Sequence, residues 1–127
     1  MISTSLRILQ VNLNRSLQAT ESALQVAIEL QIDLLLIQEL WITTSNTSSS
    51  PKDYLTARSV SHQGFTQILP NTQIHLRPRT LVYVLRTITT PVVSIAANLP
   101  QDPDILVLDI LEGNAKFQIV NIYNEVS

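Results

Sequence analysis

The sequence predicts a mixed α/β fold in which one β-α-β unit is followed by a meander of strands, so that a parallel pair opens a sheet whose second half is antiparallel. Three observations carry this. "LRILQV" and "LLLIQEL" are apolar runs of strand length, and the stretch between them has a helical period. After Trp41 the apolar residues come in short runs separated by turn-forming residues.

Taken in order, Ser5 to Val11 reads as the first strand, with "ILQV" patterned for a sheet interior. It exits through Asn12 and Asn14, two amides on the same side of the pleat. A helix from about Arg15 or Ser16 to Leu30 gathers Ala19, Ala23, Val26, Ala27 and Leu30 on one face, extended by Leu17, Leu24 and Ile28. Its opposite stripe is Arg15, Gln18, Glu21, Ser22, Gln25 and Glu29. Gln31-Ile32-Asp33 turns into "LLLIQEL", an unbroken apolar run of the kind covered on both faces. Two strands joined by a helix run parallel, so their C-terminal ends lie side by side. "ITTSNTSSSPKDY" reads as a surface loop. "GFTQIL", "RTLVYVLR", "TPVVSIAANL", "DILVLDILE" and "KFQIVNIYN" follow as strands, the last two joined by the hairpin turn Glu112-Gly113-Asn114-Ala115.

The composition bounds what such a chain does. With 127 residues, 45% hydrophobic and 14% charged, it can bury one substantial core. No apolar run is long enough to span a bilayer and no basic stretch leads into an apolar one at the start, so no membrane partner is expected and the setting is intracellular, the nucleus included. The absence of cysteine excludes disulfides and thiolate metal sites, leaving oxygen or imidazole ligands for any metal. The net charge of -2 is unevenly spread: Tyr54 to Gln101 holds Arg58, Arg77, Arg79, Arg86, His62 and His75 and no acid. Such a segment suits a polyanion, though scattered basic residues are also ordinary surface chemistry.

Open α/β sheets place ligands at the C-terminal edge of their parallel strands. Here that edge carries Asn12 from the first strand and Glu39 from the second. A carboxylate straight after a buried run is costly without a partner, and a hard divalent cation would supply one. The plainer readings are an Arg-paired or solvated Glu39, and turn or helix-capping chemistry for Asn12 and Asn14, with Asn14 the better cap. Tyr123 at the end of "IVNIYN" reads by itself as a packing residue. His62 and His75 have no carboxylate or serine at a catalytic spacing and read as surface or loop histidines. With only two glycines, Gly64 and Gly113, the chain has no Gly-rich phosphate loop.

"LRILQVNLNRS", "DLLLIQELW" and "FQIVNIYN", in that order, resemble the amino-terminal half of the endonuclease/exonuclease/phosphatase superfamily. The likeness is closest to the apurinic-endonuclease-like domain of non-LTR retrotransposon (reverse transcriptase) polyproteins. The resemblance implies a two-sheet α/β sandwich of the DNase I-like type, of which residues 1–127 form a partial domain. It implies Mg²⁺- or Mn²⁺-dependent hydrolysis of DNA phosphodiesters, with Glu39 and Asn12 at the metal and Asn12 and Tyr123 as catalytic residues, Tyr123 reaching the scissile phosphate. A phosphoesterase of another branch and a non-catalytic mobile-element remnant or binding module are the alternative readings.

The departures from the pattern are specific. Arg79-Thr80 stands where many relatives have Gly-Gly, and Arg15 where relatives often have Gly. The Gly-Asp-Phe-Asn motif and the terminal Asp-His pair of the family do not occur in these 127 residues. The expectation is therefore an inactive fragment whose partner, besides DNA, is the missing C-terminal half of the same domain. With each sheet built on one half of the chain, the fragment is expected to bare its inner apolar face.

Overall fold

The structure, a computed structural model, describes residues 6–46, 55–70, 77–88, 92–97, 99 and 102–124. In chain order the elements are β1 (Ile8–Asn12), α1 (Leu17–Glu29), β2 (Leu34–Gln38), β3 (Thr43–Asn46), β4 (Leu55–Arg58), β5 (Phe65–Ile68), β6 (Thr80–Leu85), β7 (Val92–Ile95), β8 (Ile105–Glu112) and β9 (Ala115–Ile122). His75 lies outside the described residues.

The β-α-β unit forms as expected: β1 and β2 pair in parallel from Ile8↔Leu34 to Asn12↔Gln38. β6 joins β2 antiparallel and β5 joins β6, giving the order β1-β2-β6-β5. That order puts β1 at an edge rather than in the interior, and Ile8 stays exposed. β2, between two neighbours, is buried at every position. A second, antiparallel sheet runs β7-β8-β9, its β8-β9 hairpin closing through Gly113 at φ 58 and Asn114. A glycine at positive φ in the first loop position is what a two-residue II′ turn requires.

Two local expectations are corrected. The stretch after Trp41 is not simply loop, because Thr43–Asn46 pairs with Leu55–Arg58 as a two-stranded antiparallel ribbon. β3, Thr-Thr-Ser-Asn, has no apolar residue to announce it, and β4, Leu-Thr-Ala-Arg, is only four residues long. The helix, in turn, is capped by Ser16 rather than Asn14: Ser16 is extended and its hydroxyl accepts from the Ala19 N–H at 3.0 Å. Asn14 and Arg15 instead take left-handed conformations, φ 49 and 58. The C-terminus ends on left-handed Gln31, with Ile32 N–H donating to Ala27 O and Gln31 N–H to Ile28 O. The helix buries a narrower stripe than its sequence suggests, Thr20, Leu24 and Ala27, while Leu17, Val26, Ile28 and Leu30 stay exposed.

Three layers result, because β2 and β6 alternate their side chains between two faces. Leu35, Ile37, Leu81 and Tyr83 pack with Leu24 and Ala27 of α1. Leu34, Leu36 and Val82 pack with Leu106, Leu108 and Ile110 of β8. Both sheets thus come from this chain and cover one another's inner faces, contrary to the expectation of a bared inner face. Besides the residues exposed on α1, apolar surface is bared on the outer face of β7-β8-β9, where the register aligns Val92 with Leu111 and Ile105 with Ile122.

Tyr83 is fully buried and its hydroxyl donates to Val60 O at 2.7 Å. Burial raises its phenol above the usual value of 10.0. The folded state therefore holds this proton more tightly than the unfolded chain. That contribution to stability is complete below pH 10 and is lost as pH rises from there through the raised folded value. In alkaline unfolding followed by circular dichroism, Tyr83→Phe should flatten this decline, at a cost of about 1 kcal/mol at neutral pH for the lost hydrogen bond.

Candidate active site

The parallel pairing of β1 and β2 fixes where the candidate residues meet. Beyond the last ladder pair the backbones stay joined: Leu13 N–H donates to Gln38 O and Arg15 N–H to Glu39 O at 2.8 Å. This tether bends Asn14, Arg15 and Glu39 into the left-handed region, Glu39 at φ 50. Non-glycine residues held there carry strain of roughly 1–3 kcal/mol, which gathers at functional positions. A glycine at position 15 would adopt this conformation without cost.

The Asn12 amide nitrogen approaches Glu39 Oε1 at 3.5 Å, the outer limit of a hydrogen bond, and its Oδ1 accepts from the Asn14 N–H at 2.9 Å. The backbone N–H fixes which amide atom is oxygen, so Asn12 turns its NH₂ toward the carboxylate. Glu39 N–H donates to Arg79 O at 2.9 Å, Arg79 N–H to Pro103 O at 2.7 Å, and Tyr123 N–H to Asp104 O at 2.8 Å. One edge thus runs from the β1 exit through Glu39 and the start of β6 to the end of β9, and it crosses from one sheet to the other.

Arg79 is the pivot between Glu39 and Tyr123. Its guanidinium pairs with both oxygens of Asp104, at 2.5 and 2.7 Å, and lies 5.1 Å from the centre of the Tyr123 ring. The structure therefore brings Asn12 and Glu39 together directly and places Tyr123 behind Arg79. Nothing in the local sequence links Arg79 with Asp104, 25 residues away.

The second residue that sequence reasoning passed over is Asn121, of the same "NIY" as Tyr123. It is 1% exposed, and its amide donates to Ile37 O at 3.1 Å and to Leu81 O at 3.0 Å. Its Oδ1 accepts from the amide of Gln38, the residue before Glu39. Asn121 is the polar bolt between the sheets, set directly beneath the candidate site. A signal was present: in "FQIVN" the period of two places Asn121 on the inward face with Phe117 and Ile119.

Above this frame opens a cleft of about 560 Å³, lined by Arg15, Glu39, Trp41, Ile42, Arg77 and Arg79 among others. Its lining holds one carboxylate among three arginines. Two of those arginines come from the acid-free segment; Arg58 does not line it, and Arg86 donates elsewhere, to Phe65 O. His62 serves its own turn, accepting from Gly64 N–H and meeting Phe65 edge-on.

No cluster of three or more His, Asp or Glu side chains fit to hold a metal occurs among the described residues. A lone half-buried carboxylate beside one asparagine amide does not suit zinc, which takes three or four protein ligands. It does fit Mg²⁺ or Mn²⁺, which take hard oxygen donors, Mg²⁺ keeping several waters and using one or two carboxylates plus phosphate oxygens.

No protein-family model matches the sequence, and no curated protein matches it either. Among solved structures, the chain is similar to the endonuclease domain of TRAS1, a telomere-specific non-LTR retrotransposon, with a TM-score of 0.58 and 18% identity over 95% of this chain. It spans 45% of that structure's length. The likeness establishes the fold, a two-sheet α/β sandwich of the DNase I-like type. No helix among the described residues is long and apolar enough to cross a membrane.

Proposed function

We propose that this chain carries the metal-binding part of a DNA endonuclease site, the complete domain hydrolysing phosphodiester bonds with Mg²⁺ or Mn²⁺. The observation that carries this reading is the position of Glu39. Its carboxylate stands in strained backbone at the mouth of a cleft whose other charged side chains are arginines. A cation on the carboxylate and arginines around it form a site that draws in a phosphodiester. The TRAS1 endonuclease domain, whose fold this chain shares, supports the choice of a nuclease.

In this reading Glu39 Oε atoms hold the metal, and Asn12 fixes the carboxylate through its NH₂ while offering the free lone pair of Oδ1. Bound there, the metal offsets charge on the phosphoryl oxygens. Arg15 and Arg77 neutralise the phosphates on either side, and Tyr123 backs the Arg79 guanidinium. Neither a second carboxylate nor a histidine is among the cleft's described lining. The base that activates water is accordingly assigned to the complete domain.

Calorimetric titration with Mn²⁺ tests the reading. The chain should take up one equivalent, and Glu39→Ala should weaken it about 100-fold, whereas Glu112→Ala, on a distant hairpin, should leave it unchanged. Equal uptake by Glu39→Ala would sink the assignment.

A further inference from the structure

We infer that Trp41 is a stacking platform for one unpaired base of the DNA strand, with the neighbouring phosphates held by Arg15 and Arg77. The inference deepens the nuclease reading of the same cleft and rests on it for the choice of DNA. Trp41 stands between Leu40, buried in the helix-side core, and Ile42, packed against that core. Both neighbours are anchored inward, which fixes the backbone and leaves the half-buried indole lining the cleft. The indole makes no stacking or cation contact with any described aromatic or arginine.

Trp41 shares this cleft of about 560 Å³ with the apolar Pro78 and Pro103 and with Arg15 and Arg77. Of the three cleft arginines, Arg79 is ion-paired with Asp104, while no carboxylate pairs with Arg15 or Arg77 among the described residues, which leaves those two cations for phosphate. An aromatic face beside backbone-tracking cations is the chemistry of single-strand recognition. A base in an intact duplex has both faces covered by its neighbours, so only an unpaired base can use the platform. The cleft has the size of a pocket for a small ligand, which admits one nucleotide.

Trp41 is the only tryptophan, so its fluorescence reports this site alone. The full chain would be titrated in EDTA with a ten-residue thymidine oligonucleotide and with a blunt duplex of the same length. The single strand should quench the emission saturably, and the duplex should bind more weakly without quenching. By anisotropy of a labelled oligonucleotide, Trp41→Ala should bind the single strand about 5- to 150-fold more weakly, with Trp41→Phe in between. Arg77→Ala should lower the salt dependence by about one phosphate contact. Unchanged emission on binding, equal affinity for strand and duplex, or wild-type affinity in a Trp41→Ala chain whose circular dichroism is native would each overturn the inference. Because EDTA removes metal, failure here is distinguishable from failure of the nuclease reading, which the Mn²⁺ titration decides.

Discussion

Asn121→Asp should destabilise the fold by about 4 kcal/mol at neutral pH, and Asn121→Ala by roughly 2–3 kcal/mol. The two substitutions remove different things. Alanine takes away both donors and the acceptor, leaving the buried amide of Gln38 without its partner. Aspartate keeps the acceptor for Gln38 but sets a carboxylate against the carbonyl oxygens of Ile37 and Leu81, where the amide had donated. Repulsion and burial at this 1% exposed position push the introduced carboxyl's folded value up. The sign follows: the deficit is smallest below the unfolded carboxyl value of about 4 and grows as pH rises through the raised folded one. Urea unfolding at pH 4 and pH 7 checks this. An Asn121→Asp deficit equal at both pH values would mean that the side chain does not sit between the sheets. The same bolt fixes Gln38, next to Glu39, and lies two residues from Tyr123, so both variants should also blunt Mn²⁺ uptake.

The parts of the fold set by pattern were legible, and the parts set by distant partners were not. "LLLIQEL" is apolar throughout because β2 is covered on both faces, and parallel pairing with β1 follows from the intervening helix. That alone puts Asn12 beside Glu39. β1 itself reads as interior but lies at an edge, because the placement of β6 and β5 on the other side of β2 is a long-range choice. Asn14 and Ser16 are both good caps by composition. The tether from Arg15 N–H to Glu39 O decided between them by bending the loop away from helical geometry at Asn14. The ribbon of β3 and β4 left little trace in hydropathy, since β3 has no apolar residue and β4 only Leu55 and Ala57. Arg79 marked itself only as a departure from glycine. Its pairing with Asp104 and its place over Tyr123 depend on two sheets meeting, which no window of sequence contains.

Leu108→Ala should cost about 3 kcal/mol, and Val120→Ala no more than about 0.5 kcal/mol, although both residues are aliphatic and sit on adjacent strands. The difference is which face of β7-β8-β9 each occupies. Leu108 is fully buried against Leu34, Leu36 and Val82, in a cluster whose buried members number only six, so removing one side chain opens the contact between layers. Val120 is 48% exposed on the opposite face, beside Ile122 at 51%, and loses little that water had not already reached. If the sheets did not cover each other, both substitutions would cost alike, and thermal unfolding separates the two outcomes. A hydrophobic dye adds the complementary readout. The native chain should already bind it, through the outer face. Val120→Lys with Ile122→Lys should reduce that binding without loss of melting temperature, while Leu108→Ala should increase it, since only the latter loosens the interior. A chain whose dye binding ignored the outer-face pair and did not rise in Leu108→Ala would already expose the apolar surface between its sheets, and the sandwich described by the packing of β8 on β2 and β6 would not be the state in solution.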